Sequence, residues 1–383
     1  MKNYVINLRR ELHQHPEVGF DLPETLAILR RELDALGVEY TEKYGKSSIV
    51  ATINPEKSHF TIGVRADMDA LPITEANDVP YKSLNEGKMH ACGHDAHTAV
   101  AMGTLKRVWE MRDQISCCVK FVFQAAEEYA PSGAMLMAKD GVMDDIDCIL
   151  AMHVDTNFHT GHMAITPGPQ NANSDGFYLD FYGKTAHAAN QEKGIDANVM
   201  ALRAFMDIEL VVAKNFSAKE PIIFNVGAIH GGVANNVLCD HCQMFCTLRT
   251  WNDDVREGML TYIKAIIESV ALTSGGKATF TPAKYYPIIH NHPVLTERFR
   301  AAAAKAVGEE NVHENARGMG GEDFSYFANQ KPGAFMRIGV KAPGKDKVPG
   351  VHNDSFNIDE DALEVGVNTY LQFILDNQNG IEF

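Results

Sequence analysis

Three short runs rich in β-branched and other apolar residues lead to groups that carry charge or bind metals. Residues 61–66 (TIGVRA) lead to Asp67 and Asp69, 119–123 (VKFVF) to Glu127 and Glu128, and 149–152 (ILAM) to His153. Another such run, 49–53 (IVATI), precedes them. Helical patterns separate the later runs, notably 97–111 (HTAVAMGTLKRVWEM). Strand-length runs alternating with helices predict a largely parallel, helix-covered sheet. Such sheets bind ligands beyond the carboxyl ends of their strands. The polar residues fall there.

Two amphipathic helices are expected ahead of this region, over 3–15 and 24–36. Pro23 and Glu24 open the second and Gly37 stops it. Near residue 173 the pattern changes to a strand (176–182), a helix (195–213), two strands (221–229 and 236–249), a helix (253–273) and a strand (277–285). That β-α-β-β-α-β order is ferredoxin-like. After about residue 288 the chain returns to helix, a strand at 334–340 and a final helix at 359–376, with Asp359 as its cap. The 383 residues exceed one typical core. The expected fold class is therefore α/β. A helix-covered, largely parallel sheet domain comprises 1–173 and 288–383, with an inserted ferredoxin-like α+β domain over 174–287.

A net charge of −15 argues against nucleic acid or an anionic membrane as partner. An anionic substrate then needs a local Arg or Lys. The first twenty residues contain no long apolar stretch of the signal-peptide kind. No apolar run reaches the roughly 18 residues of a membrane span. The seven cysteines are irregularly placed and read as reduced thiols, which points to the cytoplasm.

The chemistry concentrates in His90-Ala91-Cys92-Gly93-His94-Asp95-Ala96-His97, just before a helix, and in Glu127-Glu128. A lone buried cysteine is ordinarily packing. Several acid and imidazole groups around one thiol are costly to desolvate without a cation. Adjacent carboxylates repel unless a metal takes one and leaves the other as a base. His153 ends a strand and His352 lies in a loop (GVHNDSF). Each gains weight by converging on the same sheet edge. The run LCDHCQMFCTL (238–248) mimics zinc spacing, but its β alternation puts Cys242 and Cys246 on one face and Cys239 on the other, so it is read as core.

The segments HQHPEVGF (13–20), RADMDALPI (65–73), MHACGHDAHTA (89–99), AAEE (125–128), AMH (151–153), GGVANNV (231–237), GEDFSYF (321–327) and VHND (351–354) lie in an order and spacing that resemble one family. It comprises the dinuclear metal amidohydrolases that include aminoacylases, hippurate hydrolases and auxin-conjugate hydrolases, relatives of carboxypeptidase G. The resemblance covers nearly the whole chain. It implies metal ligands at Cys92, His94, Glu128, His153 and His352, with Cys92 a bridging thiolate, and Glu127 as general base. His187 matches a lid histidine that reaches the scissile carbonyl, often across a dimer interface. Asn235 and Arg249 match lid positions that bind substrate or its carboxylate. Two departures leave the acyl-group preference open. Thr185-Ala186-His187-Ala188-Ala189-Asn190 stands where the family usually has GGHAA or GGHGS followed by Pro, and Ala125-Ala126-Glu127-Glu128-Tyr129 where it has Pro-Ala-Glu-Glu-Gly.

The resemblance implies hydrolysis of the amide of a small N-acyl amino acid, with two divalent ions per subunit. A mixed S, N and O donor set fits zinc best; manganese, cobalt and nickel are also compatible. A homodimer through the inserted domain is expected. The competing readings are a metallo-dipeptidase or carboxypeptidase, an N-acetyl-diaminopimelate deacetylase, and a non-catalytic metal-dependent binding protein. The last has no need of Glu127.

Overall fold

The computed structural model describes residues 1–315 and 317–383. Helix α1 (Lys2–Gln14) buries Val5, Leu8 and Leu12 at helical spacing. Helix α2 (Pro23–Leu36) starts on proline and ends at Gly37, whose φ of 72° is the left-handed conformation glycine adopts without penalty. Strands β1 (Glu39–Thr41), β2 (Ile49–Ile53) and β3 (Thr61–Asp67) follow. Helix α3 (His94–Glu110), β4 (Cys118–Gln124), the short α4 (Gly133–Lys139) and β5 (Cys148–His159) come next. The chain continues through β6 (Asn173–Tyr182), α5 (Ala197–Asn215), β7 (Ile222–Gly231), β8 (His241–Thr250), α6 (Asp253–Ser274) and β9 (Lys277–Tyr286). It closes with α7 (Pro293–Val307), α8 (Ser325–Ala328), β10 (Gly333–Lys341) and α9 (Asp361–Asn377).

The chain divides into two compact units. The first comprises Met1–Gln170, Ile289–Ala316 and Asp323–Phe383. Its main sheet runs β1-β2-β4-β3-β5-β10 and is extended by two-residue strands. Strands β4, β3, β5 and β10 are mutually parallel, while β2 is antiparallel to β4. Every residue of β3 and β4 is buried, as expected for strands covered on both faces. Val119, Phe121 and Phe123 pack in the cluster that holds the apolar residues of α1, α3, α7 and α9. Val122, Ile149 and Phe335 pack on the opposite face with Ala134, Met137 and Phe324. No described helix is long and apolar enough to cross a membrane.

The second unit comprises Asn171–Ile288 and Arg317–Glu322. Its antiparallel sheet has the order β9-β6-β8-β7. Met200, Ala204 and Ile208 of α5 and Met259, Ile263 and Ile267 of α6 pack on Phe177, Leu179, Met244 and Leu248 of the sheet. Strand β8 begins at His241, later than the alternation suggests, so Cys239 lies outside it. Cys239 is consequently buried in the same core as Cys242 and Cys246 rather than on an opposite face. Its thiol donates to the carbonyl of His241 at 2.9 Å.

Two further details differ from the sequence expectation. The inserted unit takes back a second segment, because the carbonyl of Gly318 accepts Trp251 Nε1 at 3.1 Å and that of Met319 accepts Arg249 Nη1 at 2.8 Å. The last helix begins at Asp361 with Glu360 in the cap position. Asp359 lies just outside it, and its Oδ1 accepts the Asp361 N–H at 3.2 Å.

Candidate metal centre

The carboxyl ends of β3 and β4 present the groups expected there, whereas His153 does not end its strand: β5 continues to His159, and His153 is paired with Arg337 of β10. Cys92 and His94 flank Gly93, the residue before α3. Gly93 has φ of 85°, and a Cβ on it would stand 2.6 Å from Val154 Cγ2. The loop therefore approaches β5 more closely than any other residue would allow. His352, in a left-handed conformation with φ of 63°, is tied to this loop by its N–H donating to Ala91 O at 2.7 Å.

Within the first unit, Cys92, His94 and His153 form one donor group and Cys92, Glu128 and His352 another; in each, the ligand atoms lie within 4.8 Å of one another. Cys92 belongs to both. Its Sγ is 3.4 Å from His153 Nε2. A sulfur and a nitrogen sharing a tetrahedral zinc ion stand about 3.5 Å apart given usual bond lengths. Glu128 Oε1 is 2.9 Å from His352 Nε2. The structure thus brings together all five residues that the resemblance implies as ligands.

Backbone carbonyls orient the imidazoles. His94 Nδ1 donates to Asp69 O at 2.8 Å and His153 Nδ1 to Val154 O at 2.8 Å. Both rings then offer Nε2 as the lone-pair donor, as metal-bound histidines are usually held. His94 Nε2 is buried and meets the geometry of no hydrogen bond. Asp69 fixes the acidic pair: Oδ1 accepts the Glu127 N–H at 2.9 Å and Oδ2 the Glu128 N–H at 3.2 Å. Ala126, just before them, takes a φ of 54° that turns the chain at this point.

Electrostatics favour a cation. Burial pushes the Cys92 thiol up to about 12. It would stay protonated near neutrality unless a cation replaced the lost solvation. Burial also disfavours a charged His94, yet the Asp67 carboxylate, with Asp69 and Cys92 nearby, outweighs it and holds its pKa well above the ordinary histidine value. His153 goes the other way, held neutral by burial and by neighbouring His97 and Arg337. The buried carboxylate of Asp67, 3.7 Å from His94 Nε2, together with the neutral imidazole of His153 and the Cys92 thiol, suits divalent ions.

Several residues whose roles were not evident in the sequence support the centre. His97 Nδ1 donates to Asp67 Oδ1 at 2.6 Å, and its Nε2 accepts the Val154 N–H at 3.0 Å. Asp67, His94 and His97 also satisfy the spacing of a donor group. Asp67, however, is held by Arg65 at 2.7 Å, and Arg65 also binds Asp323 at 2.7 Å. That pairing leaves the two groups sharing Cys92 as the stronger ligand set. On the other side, Asp95 accepts from Arg9 Nε at 2.7 Å and from His13 Nδ1 at 2.7 Å, all three being buried.

In the second unit, His187 is exposed and paired in an antiparallel bridge with Val237. The Ala189 N–H donates to its Nδ1 at 3.1 Å. The neutral ring is therefore the Nε2–H form, a donor directed away from its own loop. Asn235 lies exposed in the turn before Val237, and Ala188 N donates to Asn236 O at 2.9 Å, so the His187 and Asn235 loops lie side by side. Arg249, on β8, is partly buried.

Fold and site together define an α/β protein whose sheet edge carries paired thiol, imidazole and carboxylate donors for metal ions. The chain belongs to the peptidase family M20/M25/M40, whose model matches residues 63–376. It is 32% identical over 362 residues to the N-acetylcysteine deacetylase of Bacillus subtilis (strain 168), covering 94% of this chain and 93% of that one. It is 32% identical over 374 residues to the N-acetyldiaminopimelate deacetylase of Anoxybacillus flavithermus (strain DSM 21510 / WK1), covering 96% of each. A crystal structure of a dinuclear metal-binding peptidase of the M20 family from Bacillus subtilis matches with a TM-score of 0.83 at 28% identity, covering 99% of both chains. These relatives are hydrolases.

Proposed function

We propose that the protein hydrolyses the amide bond of N-acyl amino acids, using two divalent ions held by Cys92, His94 and His153 on one side and by Cys92, Glu128 and His352 on the other. The observation that carries this reading is the membership of Cys92 in both donor groups, beside a Glu127 whose backbone is fixed by Asp69. When bound, the ions supply Lewis acidity that lowers the pKa of water and polarises the amide carbonyl. Glu127 accepts a proton from the attacking water as its oxygen bonds to the carbonyl carbon. Glu127 then returns that proton to the nitrogen as the C–N bond breaks, giving a free amine and a carboxylic acid, which ionises by releasing the second proton of the water to solvent. His187, as an Nε2–H donor, serves the developing oxyanion. Asn235 and Arg249 bind the substrate or its carboxylate, a local arginine offsetting the net charge of −15 for an anionic substrate. Zinc suits the mixed donor set best.

The blocked amine distinguishes this substrate from a dipeptide, which shares its free carboxylate. The deacetylase relatives support the acyl reading. A purely binding protein would have no use for Glu127. The test is turnover of N-acetyl, N-benzoyl and N-succinyl amino acids and N-acetyl-diaminopimelate, against unblocked dipeptides, with zinc, manganese, cobalt and nickel in turn. Hydrolysis of blocked substrates only is expected. Hydrolysis of dipeptides alone would replace this reading with the peptidase one.

We also infer a cytoplasmic homodimer joined through the inserted unit. Strand β7 lies at the edge of its sheet, and its sequence IIFNVGAIHG carries neither proline nor lysine to guard it. The opposite edge strand, β9, carries Pro282, Lys277 and Lys284. Val199, Leu202, Met206 and Leu210 form an apolar stripe on the outer side of α5, each at least half exposed.

A further inference from the structure

The pairing of β3 with β5 ends at Arg65 and Ala151. Beyond that point β5 carries His153 and then Val154, whose backbone serves two imidazoles. The Val154 carbonyl accepts His153 Nδ1 at 2.8 Å, and the Val154 N–H donates to His97 Nε2 at 3.0 Å. His97 thus supplies a buried N–H with the acceptor that the end of the β3 pairing leaves it without. It is buried on α3, three residues after His94 and therefore on the same side of the helix. Its ring centre lies 4.7 Å from that of His153.

The partners of His97 allow it one tautomer. A backbone N–H can only donate, so Nε2 carries the lone pair and Nδ1 the proton. That Nδ1–H meets Asp67 Oδ1 at 2.6 Å. The other oxygen of Asp67 accepts Arg65 Nη1 at 2.7 Å, and Arg65 Nη2 donates to Asp323 Oδ1 at 2.7 Å. A buried chain of charges and hydrogen bonds therefore runs from Asp323 through Arg65, Asp67 and His97 to the backbone that orients His153. The other imidazoles are held differently. His352 is tied by its own N–H to Ala91 O at 2.7 Å, and His94 Nδ1 donates to Asp69 O at 2.8 Å.

We propose that His97 is a positioning residue for one of the two ions, the one held by Cys92, His94 and His153, and that it acts through the Nε2 acceptor it gives to Val154. The inference rests on the two-ion reading and extends it, making the ions unequal in their dependence on the buried chain. Without that acceptor the Val154 N–H is buried and unpaired, a costly state. Its backbone would shift to find a partner, taking with it the carbonyl that fixes the His153 tautomer. The ion held by Cys92, Glu128 and His352 has no ligand fixed through Val154.

The test uses two substitutions that each keep one nitrogen position. His97→Asn keeps a donor near Nδ1 for Asp67, and His97→Gln keeps an acceptor near Nε2 for Val154. Zinc affinity is read by competition with a chromogenic chelator in two backgrounds. His352→Ala isolates the ion on the His153 side, and His153→Ala isolates the other. In the first background His97→Asn should weaken zinc binding about 10- to 100-fold, and His97→Gln should restore most of it. In the second, neither should change it. Equal weakening in both backgrounds overturns the selectivity, and unchanged affinity in the first overturns the role. Wild type offers a measurement that no folding defect can obscure. Long-range proton–nitrogen correlation spectra, assigned by the loss of signals in His97→Gln, should show His97 protonated at Nδ1 at neutral pH; an Nε2–H ring overturns the proposal. Failure of wild type to take up any divalent ion would instead overturn the two-ion reading itself.

Discussion

Burial alone makes Cys92 a poor ligand, since it drives the thiol toward its protonated form. A shared pair of cations would reverse that balance, because a thiolate between them is solvated by charge. Cys92→Ser should therefore lower metal occupancy, a hydroxyl being a much poorer anionic donor. Metal analysis after gel filtration reads this directly; full occupancy in the variant would remove Cys92 from the centre. Asp69 acts differently, through the backbone N–H groups of Glu127 and Glu128. Asn at this position can accept at only one of its two atoms. Asp69→Asn should cost about 10- to 100-fold in metal affinity or turnover, the range for groups that orient ligands. The ligand-type residues were legible in the sequence because they cluster just before α3 and just after β4 and match the motifs of the family. Their orienting partners were not, because His94 and His153 are fixed by the carbonyls of Asp69 and Val154, which carry no side-chain signature.

At the scale of elements, α1 and α3 are joined by buried charge as well as by apolar packing. Arg9 on α1 binds Asp95 in the first turn of α3, next to His94. Burial raises the cost of an ionised Asp95, but Arg9 and His13 outweigh it and hold the carboxyl well below the usual range. Arg9→Met would leave that carboxylate short of its cation, at a cost of about 3–5 kcal/mol. Denaturant titration should show a lower midpoint at an unchanged slope; a shift worth under about 1 kcal/mol would contradict the argument. The strands and helices themselves could be read from periodicity, and the order of the inserted unit followed from it. The start of β8 could not, since Val237, Leu238 and Cys239 continue an apolar pattern outside the strand. Nor could the return of Arg317–Glu322 to the inserted unit, which is held by its own backbone carbonyls rather than by a hydrophobic repeat.

For the whole molecule, the unguarded β7 edge and the α5 stripe argue for self-association. Placing charge in the stripe with Leu202→Lys and Met206→Lys should shift sedimentation from dimer to monomer, while metal content is retained. A wild-type protein that sediments as a monomer at micromolar concentration would reject the homodimer. The proposed reaction turns on a proton carried by Glu127 beside two ions that other residues would hold. The most direct measurement is metal content and turnover of an N-acyl amino acid in Glu127→Gln, side by side with wild type. Two ions per chain should remain while turnover falls about 10²- to 10⁴-fold, because the amide keeps the shape of the side chain but cannot accept the proton. Near-normal turnover with the ions in place would contradict it.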